Sequence, residues 1–230
     1  MCSSDAFRYW FIGYCGRINS DDLHRYPGLT QSSTNPSMAE TVYFITGASR
    51  GIGLEFIHQL VKRENTLVYA AVRNPSSLEK IFPSPPRNLH IVQCDVTSDE
   101  WVSKVADYVS KHSGRVDVLI NNAGIVDEGL SLRDGTVESF RSVIETNLIG
   151  VHRVIKTFLP LIQNSAIKKV INISSDYASL ELNDRTYCGA YNVSKAALNM
   201  LSVQYKNEFL DDGIIFIPIH PGNVPLLAWV

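Results

Sequence analysis

A run of β-prone residues, Thr41 to Ile45, passes directly into Thr46-Gly-Ala-Ser-Arg-Gly-Ile-Gly53. Leu54, Phe56 and Ile57 then begin the buried face of a helical segment. Strand, glycine turn and helix in that order leave few folds open. Gly47, Gly51 and Gly53 permit a tight reversal, and backbone N–H groups at the positive end of the helix are placed to meet a pyrophosphate. The GxxxGxG spacing differs from the GxGxxG of most dinucleotide folds, so the context of the loop carries more weight than its pattern.

That context continues along the chain. Short apolar runs at 41–45, 66–72, 89–95, 116–121, 168–174 and 214–219 alternate with helical periodicity at 51–63, 98–112, 136–164 and 191–211, and a weaker helix at 76–81. Alternation of this kind builds βαβ units on a parallel sheet. Val116-Asp-Val-Leu-Ile and Ile214-Ile-Phe-Ile-Pro-Ile are apolar almost throughout, as strands covered on both faces should be. The expected fold is one α/β domain with a doubly wound parallel sheet over 39–230, and 230 residues with 45% hydrophobic content are enough to bury its core.

Residues 18 to 38 are polar and rich in Ser, Thr, Asn, Asp and Pro, so 1–38 reads as a disordered N-terminal extension. The apolar run from Tyr9 to Cys15 is too short to span a bilayer. A net charge of −2 without blocks of like charge argues against nucleic acid or an anionic membrane as partner and favours a small molecule. Cys2, Cys15, Cys94 and Cys188 are widely spaced and match no metal-binding pattern, so no metal site and a reduced, cytoplasmic protein are expected. Cys94 reads as apolar filler in a strand, and Cys188, close to Tyr191, as an accessible thiol.

The chemistry is concentrated in Tyr191-Asn-Val-Ser-Lys195. Residues i and i+4 share a helix face, so the Lys195 ammonium can favour the Tyr191 phenolate and lower a pKa that starts near ~10. A phenol tuned in this way can give or take a proton at a carbonyl or alcohol oxygen.

These motifs, taken in order, resemble the short-chain dehydrogenase/reductase family over roughly residues 40 to 222. The resemblance implies a Rossmann domain that moves a hydride between a nicotinamide cofactor and a carbonyl or alcohol. It implies Tyr191 as proton donor, Lys195 as the group that lowers its pKa and holds the nicotinamide ribose, and Asn147, in Glu145-Thr-Asn-Leu-Ile-Gly150, as support for a water relay to the lysine. Lys168-Lys-Val-Ile-Asn-Ile-Ser-Ser175 resembles the family's fifth strand. It implies Ser175, with Ser174 as the near alternative, as the hydroxyl that holds the substrate oxygen. The implied cofactor contacts are Thr46, Gly47, Ser49, Arg50, Gly51, Ile52 and Gly53, Asp95 and Val96 in Cys94-Asp-Val-Thr, and Asn122, Ala123 and Gly124 in the Asn-Asn-Ala-Gly segment. Tyr191, Lys195, and Pro221, Gly222 and Val224 after the last strand complete the set. Many family members end the second strand in an acid that binds the NAD ribose, but here Ala70-Ala-Val-Arg73-Asn stands in its place. Without a carboxylate to repel a 2′-phosphate, and with Arg50 and Arg73 to bind one, NADP is the expected cofactor.

The long segment between Ser175 and Tyr191 resembles the C-factor and sniffer type of carbonyl reductase, and Glu40 to Gly53 is similar to fungal ketoreductases of the norsolorinic acid type. Tyr177, Leu180, Leu182 and Tyr187 would give the crevice an apolar wall, so a small hydrophobic ketone or aldehyde is the expected substrate. Family members pair through two long helices, which implies a homodimer or homotetramer built on 136–164 and 191–211. The sequence departs from the family after Pro221-Gly222, where Asn-Val-Pro-Leu-Leu-Ala-Trp-Val230 holds no threonine and no seventh strand. The strand at 214–219 is therefore expected at an open edge. Two functional classes remain: an NADP-dependent carbonyl reductase, and a relative that binds the cofactor with little turnover. An epimerase or dehydratase would also use YxxxK but requires a longer C-terminal substrate domain.

Overall fold

The computed structural model describes residues 40–127 and 130–222; the N-terminal extension and Val224 lie outside the described residues. Six strands form one parallel sheet in the order β3-β2-β1-β4-β5-β6. They are β1 (Thr41–Thr46), β2 (Thr66–Val72), β3 (Leu89–Gln93), β4 (Val118–Asn121), β5 (Lys169–Ile173) and β6 (Ile215–Ile219). The connecting helices are α1 (Gly51–Leu60), α2 (Ser76–Glu79), α3 (Asp99–Ser113), α4 (Val137–Ile144), α5 (Gly150–Gln163) and α6 (Gly189–Glu208).

Alternation along the central strands sends side chains into two cores. Val42 and Phe44 of β1, Tyr69 and Ala71 of β2 and Leu119 of β4 pack beneath α3, α5 and α6. Ile45, Val68, Ala70, Val72 and Ile120 face Ile57 and Leu60 of α1 and Leu78 of α2. Burial on both faces is what requires the near-continuous apolar strands read from the sequence. Phe44 and Phe158, fully buried with ring centroids 4.3 Å apart, join β1 to α5. Asp117, at the entry to β4, accepts the Val42 N–H (2.7 Å) and the Ser165 hydroxyl (2.6 Å) and pairs with Arg115. Among the described residues β6 pairs with β5 alone, through Lys169↔Ile215 to Ile173↔Ile219.

The helix expected over 136–164 is interrupted. A wide π turn, Glu145–Ile149, separates α4 from α5. Its cause is Asn147, fully buried, whose amide accepts the Ile125 N–H and donates to the Ile125 carbonyl, both at 2.8 Å. α6 begins two residues before Tyr191, at Gly189, and its first turn is capped from afar by Asp127, which accepts the Ala190 N–H at 3.0 Å.

Strand order reverses around β1, with β2 on one side and β4 on the other. The carboxyl ends of strands splay apart at such a point and leave a crevice for ligands.

Candidate active site

The floor of that crevice is made where the loop after β1 meets the loop after β4. Thr46 Oγ1 accepts the N–H groups of Asn122 (3.0 Å) and Ala123 (3.1 Å), and Asn122 Nδ2 donates to the carbonyls of Thr46 (3.1 Å) and Gly47 (2.9 Å). This contact, as much as any ligand, demands the glycines. A Cβ on Gly47 would lie 2.6 Å from Ala123 Cα, and one on Gly53 would lie 2.4 Å from the Gly47 carbonyl oxygen. Gly47 also adopts φ +64°. The first turn of α1 has no side-chain cap, which leaves its N–H groups available to an anion.

One cleft of about 340 Å³ runs from this floor. Its lining includes Thr46, Gly47, Ser49, Arg50 and Ile52, Arg73, Asp95 and Val96, Asn122, Ala123 and Gly124, and Tyr191 and Lys195, all expected from the sequence. Ala71, Cys94, Thr97, Ile125, Ser142, Thr146 and Ile173 also line it and were not anticipated, because neighbours across strand ends leave no spacing signal. Gly51, Gly53, Asn147, Ser175, Pro221 and Gly222 are not on its walls. A shallower depression of about 640 Å³ on the outer side of α4, lined by Phe140, Ile144 and Ile149 among others, shares only Ser142 with the cleft.

At one end, the exposed guanidinium groups of Arg50 and Arg73 have no ion-pair partner among the described residues. Asp95 is braced by its own turn, its Oδ1 accepting from Thr97 N–H (2.9 Å) and Thr97 Oγ1 (2.7 Å). Arg153 holds the loop by donating to the Val96 carbonyl (2.7 Å) while paired with Asp99 and Glu145.

At the other end stand Tyr191 and Lys195 of α6. Lys195 is 5% exposed, and its Nζ donates to the Ile173 carbonyl at 2.7 Å and lies 5.5 Å from the Tyr191 ring centroid. Asn147, the expected support for Lys195, donates to Ser194 Oγ (3.0 Å), so its side chain is committed to Ile125 and Ser194. The expected lowering of the Tyr191 pKa is absent. Burial pushes it up to about 12, and although a hydrogen bond with Ser175 opposes this, Asp176 and Cys188 raise it further. Burial also pulls Lys195 down to about 8. Desolvation of both groups outweighs their mutual attraction because the ammonium is turned to a carbonyl rather than held against the phenol.

The two serines after β5 diverge. Ser174 donates to Asn199 Oδ1 of α6 (2.7 Å). Ser175 donates to Asp176 Oδ1 (3.1 Å) and accepts the Tyr177 N–H (3.2 Å). Asp176 is also joined by Arg185 (3.2 Å), and its N–H donates to His220 Nδ1 (3.1 Å). Arg185 lies over the Tyr177 ring at 4.1 Å, and Tyr177 meets Tyr187 hydroxyl to hydroxyl at 3.2 Å. Tyr177, Leu180, Leu182 and Tyr187, expected as an apolar wall, do not line the cleft, and Leu180 and Leu182 are 94% and 72% exposed. Cys188 is buried in a small cluster with Tyr191, Ala190 and Val143 rather than accessible. Cys94 is buried, and burial raises its thiol to about 12, which makes it inert.

Among the described residues no three His, Cys, Asp or Glu side chains are grouped to hold a metal, and no helix is long and apolar enough to cross a membrane. The family model for short chain dehydrogenases matches residues 41–225. An uncharacterized oxidoreductase of Schizosaccharomyces pombe is 36% identical over 186 residues, covering 80% of this chain and 73% of the relative. A short-chain dehydrogenase/reductase of Arthrinium sp is 36% identical over 198 residues, covering 78% and 73%. Among solved structures, the NADPH-bound carbonyl reductase from chicken fatty liver superposes with a TM-score of 0.73 at 30% identity, covering 80% of this chain and 76% of that one. The putative carbonyl reductase Sniffer of Caenorhabditis elegans superposes at 0.75 with 27% identity, covering 80% and 86%. With its six-stranded sheet, its glycine loop and its Tyr191/Lys195 helix, the chain belongs to the short-chain dehydrogenase family and is an oxidoreductase.

Proposed function

We propose that the chain is an NADPH-dependent carbonyl reductase acting on small hydrophobic ketones or aldehydes. The observation that carries this reading is that Tyr191 and Lys195 line the same cleft as Arg50 and Arg73, which have no ion-pair partner among the described residues. The donor set fits a phosphorylated dinucleotide: an uncapped helix start and glycine loop for the pyrophosphate, Asp95 for the adenine amine, and two free guanidinium groups, with no opposing acid after β2, for the 2′-phosphate. NADPH, when bound, supplies the hydride for the carbonyl carbon. Ser175 holds the carbonyl oxygen beside Tyr191, and Tyr191 gives that oxygen its proton. A phenol raised to about 12 is fully protonated at neutral pH, which suits the direction of reduction. The Lys195 ammonium offsets the phenolate that remains. The exposed apolar stripe Val193, Met200 and Val203 on α6, with Val137 and Ile149 on the 136–164 segment, supports a homodimer. We assign the protein to the cytoplasm from its cysteine usage.

The raised Tyr191 and lowered Lys195 pKa values favour, as a second reading, a cofactor-binding relative with little turnover. One assay separates the two: NADPH oxidation with a panel of aromatic and aliphatic carbonyls, beside NADPH binding by fluorescence. Turnover supports the reductase, and binding alone sinks it. Tyr191→Phe should lose at least about a hundredfold in kcat with NADPH affinity unchanged. Arg73→Glu should reverse the ratio of kcat/KM for NADPH over NADH, and an unchanged ratio would remove Arg73 from the 2′-phosphate site.

A further inference from the structure

Asp176 is placed where a plain ketone has no use for it. Its Oδ1 accepts the hydrogen bond of the Ser175 hydroxyl at 3.1 Å, the donor that would otherwise hold the substrate oxygen. The carboxylate is held in place by Arg185 Nη2 on Oδ2 (3.2 Å) and by its own backbone N–H on His220 Nδ1 (3.1 Å), and its side chain is still 40% exposed. The Tyr177 ring of the same turn stands 6.1 Å from the Tyr191 ring, so the turn that carries Asp176 adjoins the proton donor.

A ketone brings only lone pairs to this place. When Ser175 turns its proton to such a substrate, Asp176 loses a donor, and negative charge developing on the substrate oxygen faces a carboxylate. A substrate with a hydroxyl beside its carbonyl removes both difficulties. The hydroxyl donates to Asp176 in place of Ser175, Ser175 is freed to donate to the carbonyl oxygen, and a proton lies between the two anionic oxygens. Every donor and acceptor is then satisfied.

We propose that Asp176 is a specificity-determining residue that accepts a hydrogen bond from a substrate hydroxyl next to the reacting carbonyl, so that the site selects hydroxy ketones over plain ketones. The inference rests on the reductase reading above. Arg185 keeps the carboxylate oriented and offsets its charge. The substrate hydroxyl keeps its proton throughout; Tyr191 supplies the one proton that the reduced oxygen gains.

The test compares α-hydroxyacetophenone, α-methoxyacetophenone and acetophenone, each with NADPH, in the wild-type protein and in Asp176→Ala and Asp176→Asn. The methoxy ketone matches the electron withdrawal of the hydroxyl but has no proton to donate. The wild type should prefer the hydroxy to the methoxy ketone by about tenfold or more in kcat/KM. Asp176→Ala should bring that ratio to about one, and Asp176→Asn, which keeps the shape of the side chain, should weaken it several-fold. NADPH binding by fluorescence confirms that each variant is folded. A wild-type ratio near one overturns the inference and leaves the reductase reading standing. A full preference retained in Asp176→Ala also overturns it. Reduction of none of the three, with NADPH bound, overturns the reductase reading and the inference together.

Discussion

Lys195 is buried with a single carbonyl as partner, and desolvation pulls its pKa from 10.5 to about 8. At neutral pH the ammonium is charged in the folded and unfolded chains alike, so the folded state bears the desolvation, on the order of 3 kcal/mol. As pH rises from about 8 toward 10.5 the folded chain has released a proton that the unfolded chain still holds, and stability should increase. Tyr191 acts with the opposite sign. Its folded pKa of about 12 lies above the unfolded 10.0, so its contribution is lost between those values as pH rises. Urea midpoints should therefore climb above pH 8 and fall again above pH 10, and a midpoint that declines steadily from pH 8 would contradict the buried ammonium. Lys195→Met should raise stability at neutral pH by about 2 kcal/mol, after loss of one hydrogen bond, while abolishing turnover. In the wild type, kcat/KM for reduction should decline above about pH 8, as the group that offsets the phenolate loses its charge.

Among the elements, the junction of the loops after β1 and β4 decides whether the cleft exists. Gly53 faces Gly47 and Asn122, and a Cβ there would stand 2.6 Å from Asn122 Nδ2. Gly53→Ala should destabilise the protein by about 1–3 kcal/mol in urea titration and weaken NADPH binding at least tenfold, because the clash pushes α1 away from the loop that holds Asn122. Stability equal to wild type would show that the junction yields. The π turn poses a different problem of legibility. Helical periodicity was visible over 136–164, but one widened turn changes that pattern too little to be seen, and its cause, the clasp of Asn147 on Ile125, joins residues 22 apart in sequence. The cap on α6 was hidden for the same reason, since Asp127 precedes Ala190 by 63 residues.

For the whole molecule, the sheet order brings β1 and β4 side by side and so unites Thr46 with Asn122, and the glycine loop and Tyr191 line one cleft. Val193, Met200 and Val203 of α6 are exposed in the single chain. Met200→Glu combined with Val203→Glu should convert a dimer to a single-chain mass in sedimentation velocity, with the fold retained by circular dichroism. A monomer in the unaltered protein would remove the proposed pairing.

The residues that carry local rules were legible in the chain by itself. Glycine at a strand-to-helix turn, a phenol and an ammonium one helical turn apart, and strands apolar on both faces each follow from short-range geometry, and their order identified the family. Tertiary structure decided what depends on burial and on distant partners. Whether Tyr191 is eased or hindered in losing its proton is set by desolvation and by the Ile173 carbonyl that takes Lys195. Which serine meets Tyr191 is set by Asn199 drawing Ser174 away. The gathering of Asp176, Arg185 and His220 around Ser175 exists only once β5, β6 and the long loop are folded, because electrostatic and hydrogen-bond neighbours are fixed in space and leave no periodic trace along the chain.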